Sequence, residues 1–155
     1  MAPWRLRGWK TFIHRRQRRH IDQKEIDKTR DVLHMGAMLH DVGKVGIPDK
    51  ILKKPGKLDD EEYNQMKWHT VFGGRLFANQ TSSLDTMSME IALYHHEKWA
   101  GGGYPGNIDN IMSDKLKMDN PKKLDGIPLP ARITALADVY DALSSKRCYK
   151  EPWTD

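Results

Sequence analysis

Six side chains restrict the fold of this chain more than any other feature: His40, Asp41, His69, His95, His96 and Asp138 all stand beside apolar positions on four separate helix-forming segments. Burying one ionised carboxylate alone costs several kcal/mol, whereas carboxylates and neutral imidazoles that converge on cations compensate one another. A lone buried histidine is ordinarily a hydrogen-bonded core residue. Six such groups on successive segments are harder to bury singly, so the expected fold brings the four segments together.

The segments are marked by caps and by apolar spacing. Asp22 reads as an N-cap, with Glu25 completing a capping box and Ile21 stapling onto Ile26. Ile26, Val32, Leu33 and Leu39 give this first helix an apolar side, and Gly43 is expected to stop it just after His40-Asp41. Residues 45–57 contain Pro48 and Pro55 and predict an irregular connection. Leu58, Asp59, Glu62 and Tyr63 repeat the staple and capping box, opening a helix expected to run to Ala78 and to carry His69. A third helix is predicted from Thr86 to Glu97, ending at Gly101, Gly102, Gly103 and Pro105. Residues 106–126 are polar and aperiodic and predict a loop. Pro130 opens the last helix, where Ile133, Leu136, Ala137 and Tyr140 fall at i, i+3, i+4 and i+7; this predicts a core stripe with Asp138 beside it. No segment predicts a strand.

Adjacent side chains on a helix point about 100° apart, so His40 and Asp41, or His95 and His96, cannot easily chelate one ion. Two neighbouring ions resolve this, with Asp41 bridging them. Four imidazoles with two carboxylates are too nitrogen-rich for magnesium or calcium and point to iron, manganese or zinc. A water between two such ions becomes a nucleophile near neutral pH, which suits attack on phosphorus. Lys44, Arg147 and Lys150 are cations placed to hold phosphate oxygens, although each taken singly is an ordinary surface charge.

Other features exclude function classes. Cys148 is the only cysteine, so there is no disulfide framework and no cysteine zinc site, which suits a reducing cytoplasm. No apolar run approaches the ~18 residues of a membrane helix, and the first twenty residues lack a signal-peptide pattern, so a cytoplasmic location is expected. The net charge of +5 is concentrated early: residues 1–30 hold ten Lys/Arg against three Asp/Glu. The Arg15–Arg19 run is read as a solvated arm rather than a surface for specific nucleic acid.

Taken in order, the motifs resemble those of the HD-GYP family. Leu39-His40-Asp41-Val42-Gly43-Lys44-Val45-Gly46-Ile47-Pro48-Asp49 with Lys54-Pro55-Gly56 is similar to its opening motif. Met66-Lys67-Trp68-His69, then His95-His96-Glu97-Lys98-Trp99 leading to Gly101-Gly102-Gly103-Tyr104-Pro105, is similar to its second half and its Gly-Tyr-Pro signature. Ile127-Pro128-Leu129, Ala137-Asp138-Val139-Tyr140-Asp141-Ala142-Leu143 and Arg147-Cys148-Tyr149-Lys150 complete the pattern, and so many ordered motifs are very improbable by chance.

The resemblance implies an all-α, HD-type bundle of about five or more helices with a Gly-rich loop. It implies a binuclear centre, iron or manganese, with His40, Asp41, His69, His95, His96 and Asp138 as ligands. His40, Asp41 and Lys44 would be catalytic, and Lys44, Tyr104, Arg147 and Lys150 would grip the substrate, cyclic di-GMP or a related cyclic dinucleotide cleaved to pGpG or GMP. A bacterial response regulator with an upstream receiver or sensor domain is the implied setting, and a diguanylate cyclase an implied partner. By the same resemblance residues 1–20 form a basic segment unlike the family, and residues 21–155 form the phosphodiesterase domain without its first metal-ligand helix. Relatives carry a Glu and a His there, whereas this chain has no Glu before Glu25 and offers only His14 and His20. Ala100 stands where Asp is usual, and the 106–126 connection is longer than the usual turn. A second reading therefore stays open, in which a catalytically degenerate domain binds nucleotide or a protein partner; a phosphohydrolase of the wider HD superfamily would not require the Gly-Tyr-Pro loop.

Overall fold

Asp22 starts the described part of the molecule, as an N-cap whose carboxylate accepts from Lys24 N–H at 3.2 Å. The computed structural model describes residues 22–113 and 115–144; the readings placed on His14, His20, Ile21, Arg147, Cys148 and Lys150 fall outside them. The described residues form helices α1 (Gln23–Met38), α2 (Asp49–Leu52), α3 (Asp60–Lys67), α4 (His69–Leu76), α5 (Ser83–Tyr94) and α6 (Leu129–Ser144), with 3-10 turns at Val42–Gly46 and Leu124–Gly126. They contain no strand, as the all-α reading requires. No described helix is long and apolar enough to cross a membrane.

Helix α5 lies at the centre, against α1, α4 and α6. Its Ile91, Ala92 and Leu93 are fully or nearly fully buried, joined in the core by Ile47, Ile51, Val71, Ile127 and Ala131. A helix apolar on several sides belongs in an interior. Two capping boxes start helices. Asp59 and Glu62 open α3 where the sequence placed them, and Ser82 with Asp85 opens α5 three residues earlier than expected.

Three helix ends differ from the sequence reading, and they share a cause. Helix α1 stops at Met38, before His40-Asp41; the single helix expected from Asp59 to Ala78 breaks at Trp68; and α5 stops at Tyr94, so His95 and His96 follow it. At each end a histidine Nδ1 bonds to a carbonyl in the last turn: His40 to Ala37 at 2.7 Å, His69 to Met66 at 2.7 Å, and His95 to Ile91 and Ala92 at 3.0 and 3.1 Å. Thr70 Oγ1 adds a bond to the Lys67 carbonyl at 2.9 Å. The three histidines add second bonds to the Ala37, Met66 and Ile91 carbonyls of the last turns, which already accept a backbone N–H there, and so compete with continuation of the helix.

Gly43 therefore does not stop α1. It lies in the 3-10 turn where that turn crosses α4, and a Cβ there would collide with the His69 carbonyl oxygen and the Gly73 backbone nitrogen.

The stripe expected in the core from α6 is also corrected. Ile133, Leu136 and Tyr140 are 45%, 74% and 73% exposed, and Ala137 is exposed. The inward positions are Ala131, Thr134, Ala135 and Asp138, at the same i, i+3, i+4, i+7 spacing but two residues earlier. Small residues on that face let α6 approach the rest of the fold closely, which carries Asp138 to His40. The loop 106–126 is irregular, as expected, but anchored: Arg75 donates from Nε to the Ile111 carbonyl at 2.8 Å and from Nη2 to Ser113 at 3.0 Å.

Candidate metal centre

Each histidine that caps a helix has its tautomer fixed by that cap. A backbone carbonyl only accepts, so Nδ1 of His40, His69 and His95 carries a hydrogen, and Nε2 of His69 and His95, whose rings burial keeps neutral, carries a lone pair. Those Nε2 atoms turn toward one carboxylate. His69 and His95 Nε2 lie 3.5 and 3.9 Å from Asp41 Oδ1 and 3.5 Å from each other. His40 Nε2 lies 3.3 Å from Asp41 Oδ2 and 4.0 Å from Asp138 Oδ1, and Lys44 Nζ donates to Asp41 Oδ2. Ligand atoms of Asp41, His69, His95 and His96 lie within 4.8 Å of one another.

The two oxygens of Asp41 therefore face different groups. Oδ1 faces two deep imidazoles, whose side chains are at most 2% exposed, and has no hydrogen-bond partner despite being buried. Three acceptor atoms with no hydrogen between them repel unless a cation stands among them, and an unpaired buried oxygen costs about 1–3 kcal/mol or more. The donor set thus fits a divalent cation on its own chemistry. The carbonyl bonds from the far side of each ring are the outer-shell supports that ligating histidines ordinarily have.

Electrostatics point the same way. Burial pushes the His95 imidazole down to about 4 and, with help from neighbouring His95 and His69, the His96 imidazole down to about 3; burial also lowers His69. All three are neutral near pH 7 and free to ligate. His40 is raised, chiefly by its bond to Asp41. Burial opposes ionisation of Asp41, yet bonds from His40 and Lys44 outweigh it and hold this carboxyl well below the usual carboxylate range.

A pH dependence follows from these directions. Unfolded, His69, His95 and His96 take up protons near 6.5; folded, they resist, so the unfolded chain binds more protons as pH falls from about 6.5 toward 4. Stability is full above that window and is lost within it. His40 has the opposite sign, its contribution being lost as pH rises above 6.5. Because three groups oppose one, the melting temperature of chelator-treated protein is expected to fall steadily between pH 6.5 and 4.5. A flat thermal-denaturation profile over that range would contradict the burial assigned to these rings.

Around this centre the structure places two further sequence-predicted residues. Lys44 is bonded to Asp41. Tyr104 stacks on His96 with ring centroids 4.8 Å apart and planes 25° off parallel. The sequence reading missed Glu97, Tyr63 and Lys67. Glu97 is buried and accepts from Gly106 N–H at 2.6 Å, tying the glycine-rich loop back to the residue after His96. Gly103 lies so close that a Cβ would sit 2.5 Å from Glu97 Cα. Glu97's place in the His-His-Glu run was a usable signal, as was the i, i+4 spacing of Tyr63 and Lys67 ahead of His69.

Known proteins carry similar sequences. A family model described as HD domain matches residues 12–143. The chain is 48% identical over 125 residues to a cyclic di-GMP phosphodiesterase of Vibrio cholerae serotype O1, covering 77% of this chain and 23% of that protein. It is 46% identical over 125 residues to a 3'3'-cGAMP-specific phosphodiesterase 2 of the same organism, covering 81% and 21%. It is also 44% identical over 123 residues to the cyclic di-GMP phosphodiesterase response regulator RpfG of Xanthomonas campestris pv. campestris, covering 79% and 29%. The chain thus spans between a fifth and a third of the length of these relatives.

Proposed function

This chain belongs to the HD domain family, in its HD-GYP branch, and from that premise we propose that it is a metal-dependent phosphodiesterase hydrolysing cyclic di-GMP to pGpG and GMP. The observation that carries this reading is Asp41, whose Oδ1 faces His69 and His95 while Oδ2 faces His40. A carboxylate so placed between two sets of nitrogen donors is suited to bridge two ions. In this reading His69, His95 and His96 hold one side of a binuclear centre, the two neighbours coming together because they follow α5 instead of lying on a continuing helix, and His40 with Asp138 holds the other. The nitrogen-rich set suits iron, manganese or zinc, and the resemblance to the HD-GYP family favours the first two.

Bound there, such ions supply Lewis-acid polarisation of a phosphodiester and a nucleophile derived from water near neutral pH. The chain's own residues do the rest. Lys44 spends one of its three donors on Asp41 and has others for phosphate oxygens. The buried imidazoles exclude bulk water from the inner wall. Tyr104, whose hydroxyl burial holds protonated, remains a neutral donor at the rim.

The test is metal content by plasma mass spectrometry on protein purified without chelators, paired with chromatography of products from cyclic di-GMP. About two irons or manganeses per chain together with pGpG or GMP is the expected result. Metal without product would overturn the phosphodiesterase reading and favour a binding role. For Tyr104→Ala, KM for cyclic di-GMP is expected to rise roughly tenfold with metal content unchanged, because the change removes a ring at the rim and no ligand. Loss of metal in that variant would place Tyr104 in the centre itself.

A further inference from the structure

Helix α3 presents an aromatic and a cation that the core does not use. Tyr63 is 47% exposed and Lys67 is half-buried one turn later, at the helix end that leads into His69. Lys67 Nζ stands 4.8 Å from the Tyr63 ring centroid and 5.9 Å from that of Tyr104, and the two tyrosine rings meet edge to face at 6.4 Å. Tyr104 is in turn stacked on His96. A continuous series of rings therefore runs from a residue of the metal centre out to the half-exposed ring of Tyr63, with the Lys67 ammonium over the Tyr63 ring on the side that also faces Tyr104.

We propose that Tyr63 and Lys67 form a base-recognition element beside the metal centre, selecting a purine with an oxygen at position 6 over one with an amino group there. This inference rests on the reading of the substrate as a cyclic dinucleotide. An aromatic ring stacks any base, because every base offers a π surface, and a base stacked on Tyr63 takes the place the Lys67 ammonium holds over the ring, moving that ammonium to the base edge. Selectivity comes from the ammonium. Lys67 gives one donor to Asn64 Oδ1 at 2.8 Å and retains others, since an ammonium has three donors and no acceptor. Guanine presents two acceptors, O6 and N7, on the edge such a donor meets; adenine presents N7 beside an amino group that is itself a donor. The second contact is therefore favourable for guanine and repulsive for adenine. The two residues divide the work, with Tyr63 supplying affinity without selectivity and Lys67 supplying the preference.

The experiment is isothermal titration calorimetry of the full chain with GMP and with AMP, compared across wild type, Lys67→Met and Tyr63→Leu, with far-ultraviolet circular dichroism to confirm the fold. Lys67→Met keeps the unbranched stem and Tyr63→Leu keeps an apolar residue on an exposed site, so both variants are expected to fold. Wild type should bind GMP roughly tenfold more tightly than AMP. Lys67→Met should bring the two affinities within about twofold, while Tyr63→Leu weakens both nucleotides alike and leaves their ratio in place. Equal affinities in wild type, no binding of either nucleotide, or an unchanged ratio in Lys67→Met would each overturn the proposal. Hydrolysis of cyclic di-GMP is measured separately: a chain with the expected GMP preference and no turnover keeps this inference and loses the phosphodiesterase reading.

Discussion

Replacing Asp41 with alanine is expected to leave a folded protein with no bound metal and no turnover. Both carboxylate oxygens face imidazole nitrogens, so in the proposed binuclear reading one change removes a donor from each half of the centre. Losing an outer-shell partner typically costs about 10–100-fold in metal affinity, and losing a bridging ligand is expected to cost more than ~100-fold. The fold should survive, because Oδ1 has no hydrogen-bond partner and Lys44 is exposed enough to reach water. Asp41→Asn sharpens the test. It keeps the size of the side chain and an acceptor for Lys44, but its amide can donate to the imidazole Nε2 atoms that crowd Oδ1. Chelator-treated Asp41→Asn is therefore expected to keep its fold, losing only the charge-assisted part of the Lys44 and His40 contacts, while binding metal far more weakly. Metal content near the wild-type level in Asp41→Ala would remove Asp41 from the centre, and a collapsed circular dichroism spectrum would make its role structural.

The members of this centre were legible in the sequence because each is an ionisable group set among apolar residues, and that pattern survives any local error in helix boundaries. His40, Asp41, His69, His95 and His96 do converge, and Asp138 reaches His40. The exact helix ends were not legible. The sequence reading looked for glycine and proline as terminators, whereas His40, His69 and His95 end their own helices by taking carbonyls of the last turn. That choice does two things at once, since the same bond that ends the helix also aims Nε2 at Asp41. The faces of α6 were misassigned for a different reason. Periodicity identifies a stripe of large apolar residues, but close packing of helices selects small ones, and here Ala131 and Thr134 are buried while Leu136 and Tyr140 are exposed. Tyr63 and Lys67 were overlooked because the capping box claimed Tyr63 as a staple, which hid their i, i+4 spacing ahead of His69.

Gly43→Ala is expected to cost more stability than an ordinary methyl group added to the core of this fold. The 3-10 turn that Asp41 opens and that carries Lys44 lies against the start of α4, and the added carbon would fall on the His69 carbonyl oxygen and the backbone of Gly73. Neither is the far end of a flexible side chain, so relief requires the turn and the helix to separate. Overpacking against side chains commonly costs about 1–3 kcal/mol, and a collision between two backbones is expected to exceed ~3 kcal/mol. Separation would also pull Asp41 away from His69, so metal affinity should fall together with the melting temperature, although no ligand has been altered. Gly126→Ala provides the comparison, because a Cβ there meets nothing within 4 Å and needs no unusual backbone angle. Thermal denaturation and metal content measured on both variants separate the possibilities. A Gly43→Ala protein as stable as Gly126→Ala would mean that the turn and α4 are not in contact in solution, and the path by which the fold delivers Asp41 to His69 would have to be redrawn.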